Sequence, residues 1–474
     1  MRKKIYSLIL VLILTFSMLI PVSATEEVKV DGFKLVNYIS LYAEQVYKFG
    51  ITSVQMKNRA LEYMLETNDT NVDNVLKAMF KGMDDYSTYF TKEEYAAFAD
   101  TVNASLCGIG VSCVMGKNGA EVLDVIPHSP AEKAGIKKYD TLVFADGVSL
   151  SGLTLDQAVT YIKGEAGSLV KIGVSRYGES GIKYFDIVRA YIEISPVTWK
   201  KLDDETAYLK IDTLTLNSDV FVREALSEID KLGITKIVLD LRDNPGGYLE
   251  ATVNICDMLL PEGVVGYEDY KDPGKLETFY SKNKNPKYKL AVLINGNTAS
   301  GAEFLSGGIQ DTKVGVLFGE QSFGKGTVQN TIPLSNGGAI KITVAKYYTA
   351  GKQDVAENHI NPDFPVENSY KKINEENFEP INFDEEVKVG SVGKAVLAIE
   401  QRLSALGYMD EADEEFTEET MDAVRLFKAS NNMGTEPIVN FDFIAFINNL
   451  EYDEIYYTVD RQLDAAHNYL KGLK

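Results

Sequence analysis

The spacing of apolar residues along the chain changes twice in its first half. Residues 25–99 show the three- and four-residue spacing of amphipathic helices. In residues 100–190 the spacing is mostly that of short strands, with one helix expected at 155–162 because Thr154 and Gln157 form a capping box before it. The pattern therefore predicts an N-terminal helical region followed by a β-rich module with one long helix.

Residues 191–370 alternate apolar strands with amphipathic helices. The expected strands are Ala207–Ile211, Ile237–Leu241, Leu290–Ile294 and Val314–Phe318. The expected helices contain the apolar face Val222, Leu226, Ile229 and Leu232 and the segment Leu249–Leu260. This alternation predicts crossover connections on a largely parallel sheet, in a mixed α/β core.

The C-terminal part differs from the mixed core in composition and in the spacing of its apolar residues. Residues 371–386 are rich in Asn, Glu and Lys and are interpreted as a linker. Residues 387–450 contain helical patterns, the first ended by Gly407, and predict a small helical domain. In residues 451–474 a last helix is expected at Thr458–Leu473. The fold class is thus multidomain, α+β and α/β: helical region, β-rich module, mixed core and helical C-terminal domain.

Net charge excludes one class of function. The chain has 474 residues with 48 basic and 69 acidic side chains, a net charge of −21. Residues 1–24 contain three basic and no acidic residues, so the remainder carries −24. A strongly acidic body does not suit binding to a phosphate backbone, and no nucleic acid partner is expected.

The N-terminus has the features of an export signal. Arg2, Lys3 and Lys4 precede an apolar stretch from Ile5 to Ile20, and the small residues ending at Ala24 suit a cleavage site. We expect residues 1–24 to be a secretory signal, with an uncleaved membrane anchor as the alternative. In both cases the rest of the chain works outside the cytoplasm, secreted or anchored at the cell envelope.

The cysteines and histidines do not indicate a metal site or a catalytic site. The three cysteines are Cys107, Cys113 and Cys256, and the three histidines are His128, His359 and His467. None has the spacing of a metal site, so no metal is expected, and the histidines are interpreted as incidental. The segment Gly319–Gly326 nearly matches a phosphate-binding loop, but Gly326 replaces the required hydroxyl, so no cofactor is expected.

A serine and a lysine follow predicted strands. Ser300 lies after the strand Leu290–Ile294 and at the start of an expected helix, where converging N–H groups favour developing negative charge. Lys325 lies between two glycines and could accept the proton of a serine if burial lowered its pKa. The alternative is that Ser300 is a helix N-cap and Lys325 a solvated turn residue.

A glycine pair follows another buried strand. Gly246 and Gly247 lie between the strand Ile237–Leu241 and the helix that begins near Leu249. Such a turn allows a substrate to approach the backbone closely and can supply donors to an oxyanion. The alternative is a tight strand-to-helix turn without a catalytic role.

Several segments in order resemble the carboxyl-terminal processing peptidases, which are serine peptidases with a Ser/Lys dyad and a PDZ module. The segments are LDLRDNPGG, NGNTASGAEFLSGGIQD, FGEQSFGKGTVQ, AIKITVAKYYTAGK and INPDFPV. The resemblance covers roughly residues 75–370. It implies that Ser300 is the nucleophile, Lys325 the general base and Gln329 the residue that orients the lysine. It also implies oxyanion donors at Gly301 and at Gly246 or Gly247.

The β-rich module resembles a PDZ domain. CGIGV at residues 107–111 is similar to a carboxylate-binding loop, which implies peptide-binding roles for its backbone. The residues concerned are Gly108, Ile109, Gly110 and Val111. Lys163 stands where the family often has arginine, and lysine cannot reproduce the planar guanidinium.

The helical C-terminal domain resembles a peptidoglycan-binding module. The resemblance lies in VGSVGKAVLAIEQRLSALGYM and TEETMDAVRLFKASNNM. It makes peptidoglycan a candidate partner, and the alternative is a structural or dimerising domain that would give a homo-oligomer.

These observations predict an exported serine endopeptidase without cofactors. Its substrates are expected to be proteins or peptides with free C-termini, recognised by the PDZ module and cleaved by the dyad through an acyl-enzyme. The alternative is a catalytically silent envelope-binding scaffold that uses the PDZ and cell-wall modules.

Overall fold

The structure is a computed structural model. The described residues are 32–103, 105–176, 179–271, 275–381, 387–409, 412–431, 433–452 and 455–473. The expected signal or anchor at residues 1–24 lies outside them. Within these ranges, every helix is too short or too polar to cross a bilayer.

The chain forms two compact units, the first of which contains described residues 32–45, 51–92 and 331–342. Its helices are Gly32–Val46, Ser53–Thr67 and Val72–Met79. The strand Thr88–Phe90 pairs antiparallel with residues 339–341. The helical N-terminal region is therefore confirmed, although the expected helical range also includes this strand.

The second unit includes the β-rich module. Its strands are Ser105–Gly108, Val111–Gly116, Gly119–Val125, Thr141–Ala145, Val148–Ser149, Leu169–Ser175, Lys183–Val188 and Ala190–Glu193. Its helices are Pro130–Ala134 and Leu155–Ile162, and the helix Lys92–Asn103 precedes the module. The Thr154 side chain accepts from the Gln157 N–H, and the Gln157 side chain accepts from the Thr154 N–H, so the predicted capping box is confirmed.

A six-stranded sheet forms the centre of the second unit. Its order is Val197–Lys201, Thr206–Ile211, Lys236–Asp240, Lys289–Ile294, Gly315–Gly319 and Phe364–Pro365. The first pair is antiparallel and the others are parallel, which confirms the predicted parallel sheet with an antiparallel addition.

Helices cover both faces of this sheet because its strands are apolar on both sides. Ile237 and Leu239 pack in one core with the helices Ser218–Lys231, Leu249–Leu259 and Gly301–Thr312. Val238 and its neighbours pack in another core with the helix Arg461–Gly472. The last helix of the chain therefore belongs to the core that carries the candidate site.

Further strands lie wholly or partly in the second unit, since residues 331–342 belong to the first. They are Gly263–Tyr270, Leu276–Ser281 and Thr327–Pro333, and the strand Ala339–Thr349, whose later residues pair antiparallel with Gly263–Tyr270. The short helix Val355–Asn358 follows them.

The helical C-terminal part is confirmed, but its connections differ from the prediction. Its helices are Lys394–Ala405, Glu418–Ser430 and Phe441–Asn448, and a 3-10 helix, Glu375–Asn377, precedes them. The strand Ser369–Lys372 pairs with Tyr456–Val459, so Thr458 lies in a strand and the last helix begins only at Arg461. The segments before and after the helical part therefore pair as two strands. This pairing joins residues that are distant in sequence, so local spacing does not predict it.

Arg242 joins the last helix to the loop after a central strand. Its guanidinium donates to Asp240 at 2.6 Å, to both carboxylate oxygens of Asp460 at 2.8 Å and to Gln462 at 3.0 Å. Burial alone would raise the pKa of Asp460, but the hydrogen bonds from Arg242 and the Leu463 N–H hold that pKa below its usual value. The helix therefore contacts the loop that carries the glycine pair.

Candidate active site

Ser300 occupies a strained turn between a central strand and a buried helix. It follows the strand Lys289–Ile294 and directly precedes the helix Gly301–Thr312. Its backbone has φ 54° and ψ −120°, whereas an ordinary N-cap serine is extended. Such strain in a residue other than glycine persists where the surrounding structure enforces it, and it is concentrated at functional sites. The conformation therefore argues against a simple capping role.

Hydrogen bonds join the serine turn to the loop after the neighbouring parallel strand. The Thr298 hydroxyl donates to the Leu241 carbonyl oxygen at 2.8 Å, and the Ala299 N–H donates to the Asn244 carbonyl oxygen at 2.9 Å. The amides of Asn297 and Asn295 donate to Asp243 and lower the pKa of that carboxyl group. Both turns are at the carboxyl end of the sheet and are hydrogen-bonded to each other.

The glycine pair lies directly against the serine. Gly246 has φ +88°, and a Cβ atom added to it would be 2.7 Å from both Ser300 Cβ and the Gly301 nitrogen. A Cβ atom on Gly301 would be 3.5 Å from the Gly247 nitrogen. The structure therefore brings the predicted nucleophile and the three predicted oxyanion glycines together.

The N–H groups of these glycines differ in what they can bind. The Gly246 N–H donates to the Asn244 side-chain oxygen at 2.8 Å, so it is already occupied. Among the described residues, the N–H groups of Gly247 and Gly301 have no acceptor. Gly301 is also the first residue of a helix, where the dipole favours negative charge. This geometry favours Gly301 and Gly247 as donors over Gly246.

Glu303 connects the serine turn to the lysine loop. Its carboxylate is completely buried and accepts from the Ser300 N–H at 2.7 Å and from the Lys325 N–H at 2.9 Å. It also accepts from the Gly324 N–H at 2.6 Å and from the Ser322 hydroxyl, and the Tyr347 hydroxyl oxygen lies 3.3 Å from the carboxylate. A carboxylate can accept the four hydrogen bonds from these N–H groups and from Ser322 because its two oxygens have about four lone-pair sites.

Lys325 and Gln329 lie on the segment that Glu303 holds. Both side chains are partly buried. The Gln329 amide nitrogen donates to Thr327 at 2.9 Å and to Thr343 at 3.3 Å. Since both amide hydrogens have acceptors, the carbonyl oxygen is the group left to accept from another donor, such as an amine.

Sequence reasoning missed three residues that build this site: Glu303, Asn244 and Tyr347. Asn244 is buried and donates to the Ile211 carbonyl oxygen, and the Tyr347 hydroxyl donates to the Ser300 carbonyl oxygen at 3.0 Å. Only Glu303 had a sequence signal, the S-x-x-E pattern that Ser300 begins. The other two act through contacts that are distant in sequence.

The predicted peptide-binding loop has the backbone of an anion site. Gly110 has φ +88°, and a Cβ atom there would be 2.3 Å from Ser129 Cβ, so glycine is required. Among the described residues, the N–H groups of Ile109 and Gly110 have no acceptor. The following strand, Val111–Gly116, is at the edge of its sheet and can accept an added strand.

No cluster in the described part of the chain supplies three His, Cys, Asp or Glu side chains for a metal ion. The arrangement offers a serine hydroxyl, backbone N–H donors beside it and a loop that carries a lysine, which are groups that acyl transfer can use.

Comparisons with known proteins agree with a site for acyl transfer. Residues 205–366 match peptidase family S41, residues 107–181 a PDZ domain and residues 392–445 a peptidoglycan binding domain. The carboxy-terminal processing protease CtpA of Bacillus subtilis (strain 168) is 30% identical over 414 residues, which cover 85% of this chain and 87% of the relative. The carboxyl-terminal-processing protease of Synechocystis sp. is 31% identical, covering 69% of this chain and 75% of the relative.

The chain also resembles a solved structure, the photosystem II D1 C-terminal processing protease. The identity is 25% and the TM-score 0.45, with 71% of this chain and 93% of that chain covered.

Substituting Gly246 tests the contact with Ser300. Gly246→Ala should abolish covalent labelling of Ser300 by a fluorophosphonate, because the added methyl group would displace the serine or the Gly301 N–H. Gly233→Ala is the matched control, since Gly233 also has positive φ but open space around its Cβ position. Backbone strain should cost each variant about 1–2 kcal/mol of stability, and Gly246→Ala should lose more because of the collision. Equal labelling of the two variants would show that Gly246 does not adjoin the reacting group.

Proposed function

Since this chain belongs to the carboxy-terminal processing protease family, we propose that it is an exported serine endopeptidase with Ser300 as nucleophile and Lys325 as general base. The observation that carries the proposal is the strained Ser300 turn. It packs against Gly246 and is joined through Glu303 to the backbone of Lys325. A silent scaffold would gain nothing from this strain.

The proposed reaction proceeds by acyl transfer. Lys325 removes the proton of the Ser300 hydroxyl as its oxygen attacks the carbonyl carbon of the scissile bond. The tetrahedral oxyanion accepts hydrogen bonds from the Gly301 and Gly247 N–H groups. The protonated lysine then donates to the departing amine, and water, activated by the neutral lysine, hydrolyses the acyl-enzyme.

This role requires a neutral lysine amine. A lysine in water has a pKa of about 10.4, and lowering it by about three units costs roughly 4 kcal/mol. Burial among apolar groups opposes the charged form and can supply this free energy. The Gln329 carbonyl oxygen, whose amide nitrogen is held by two threonines, would direct the amine towards Ser300.

The PDZ module would select substrates with a free C-terminus. The N–H groups of Ile109 and Gly110 would bind the terminal carboxylate, and the peptide would add antiparallel to the edge strand Val111–Gly116. The peptidoglycan-binding-like domain would keep the enzyme near the cell wall, with residues 1–24 as its export signal. Both features support an activity at the cell envelope.

Replacing Lys325 tests the dyad. Lys325→Arg should be nearly inactive on a fluorogenic peptide with a free C-terminus, because a guanidinium stays protonated at any usable pH. Ser300→Ala and Lys325→Ala should be equally inactive, and the double variant no worse, because the two residues act as a unit. For the wild type, kcat/KM should fall as the pH drops through the lysine pKa.

Lys346→Arg is the control for this series, because Lys346 pairs with Asp354 in the same unit and takes no part in the proposed chemistry. It should keep wild-type activity. A folded Lys325→Arg variant with full activity would refute the dyad and leave Ser300 without a base.

Amidation of a peptide C-terminus tests the recognition mode. A peptide acid should bind the full-length Ser300→Ala protein at least about tenfold more tightly than its amide, measured by fluorescence anisotropy, because only the acid offers a charged acceptor to the loop. Gly110→Ala, whose methyl group collides with Ser129, should bind both weakly. Equal affinity of the wild-type loop for acid and amide would contradict carboxylate recognition.

A further inference from the structure

His359 has a backbone conformation that only glycine adopts easily. It follows the short helix Val355–Asn358 and has φ 53° and ψ −179°. A side chain in this region costs on the order of 1–3 kcal/mol. The conformation is held by the His359 N–H, which donates to the Val355 carbonyl oxygen at 2.9 Å, and by the Gln353 amide, which donates to the His359 carbonyl oxygen. Glycine would satisfy both backbone bonds without strain, so the imidazole must supply something else.

The imidazole ring lies against the lysine loop. A Cβ atom added to Gly324 would be 2.4 Å from His359 Nδ1, so ring and backbone are in direct contact there. Nδ1 is 3.0 Å from the Ser322 carbonyl oxygen. Since a carbonyl oxygen can only accept, Nδ1 carries the hydrogen and donates it. The ring thus holds the loop at the residue before Lys325 and again at Ser322.

Neighbouring bonds complete a clamp on this loop. The Ser322 N–H donates to the Ile360 carbonyl oxygen at 2.9 Å, and the Ile360 N–H donates to the Ser322 hydroxyl oxygen at 2.8 Å. From another side, Glu303 accepts from the N–H groups of Gly324 and Lys325. The loop therefore lies between Glu303 and the segment that begins at His359.

We propose that His359 is a positioning residue, whose ring fixes the Ser322–Gly324 backbone so that the Lys325 amine faces Ser300. The inference rests on the proposed function, because the placement of the Lys325 amine affects the reaction only if Lys325 is the general base. His359 touches no reacting atom. Its effect is on the placement of the amine, where an error of about 1 Å can cost on the order of 100-fold in rate.

The test uses variants that separate strain from ring contact. His359→Gly removes both, so its melting temperature should equal or exceed that of the wild type, while kcat should fall at least about tenfold with KM nearly unchanged. His359→Ala keeps the strain and loses the ring, so both its stability and its kcat should fall. His359→Asn keeps the backbone strain, but it should recover most of the lost kcat because its side-chain nitrogen can replace Nδ1 as the donor to the Ser322 carbonyl oxygen.

Lys313→Gly is the control for strain relief alone. Lys313 ends the helix Gly301–Thr312 with φ 57°, and glycine there should raise stability without changing kcat. The inference is refuted if His359→Gly cleaves at the wild-type rate, or if its activity falls only in proportion to a loss of stability. A wild-type enzyme that neither cleaves peptides nor labels at Ser300 would instead refute the proposed function, and the inference with it.

Discussion

One buried carboxylate connects the serine turn to the lysine loop. Glu303 lies in the first turn of the helix after Ser300 and accepts hydrogen bonds from both the serine turn and the lysine loop. These two segments are separated by a full helix and a strand, so local structure alone cannot fix their distance. A buried carboxylate without its donors would be costly, and this makes the joined arrangement strongly favoured. The strain at Ser300 is sustained by the same bonds.

The sheet places these segments where they can meet. The serine turn and the glycine pair follow neighbouring parallel strands, whose carboxyl ends share one edge of the sheet. The last helix covers the opposite face of that sheet and contacts the glycine-pair loop through Arg242 and Asp460. The helical C-terminal part is therefore inserted between two pieces of the protease core. The helix that follows it, Arg461–Gly472, contacts both the central sheet and the loop of the glycine pair.

Sequence patterns predicted what depends on local spacing. The parallel strands were predictable as short apolar runs, the helices from a period of 3.6 residues, and the Thr154 capping box from two residues three positions apart. The family resemblance implied oxyanion roles for Gly301 and for Gly246 or Gly247. The structure places Gly246 against Ser300, and the oxyanion roles stay predictions. The Gly246 N–H, however, is occupied by Asn244, which spacing could not reveal. From the sequence, His359 is interpreted as incidental, because its strain is visible only in the backbone dihedral angles of the structure.

The most direct test of the account is Glu303→Gln, with the rate of fluorophosphonate labelling at Ser300 as the readout. The amide nitrogen of the substituted side chain would face backbone N–H groups that now donate to a carboxylate oxygen. Stability should therefore fall by about 1–3 kcal/mol, and labelling should slow at least about tenfold. Glu268→Gln is the matched control, because Glu268 is equally buried in this unit and burial raises the pKa of its carboxyl group. It should label at the wild-type rate. Wild-type labelling by a folded Glu303→Gln variant would contradict the claim that this carboxylate assembles the site.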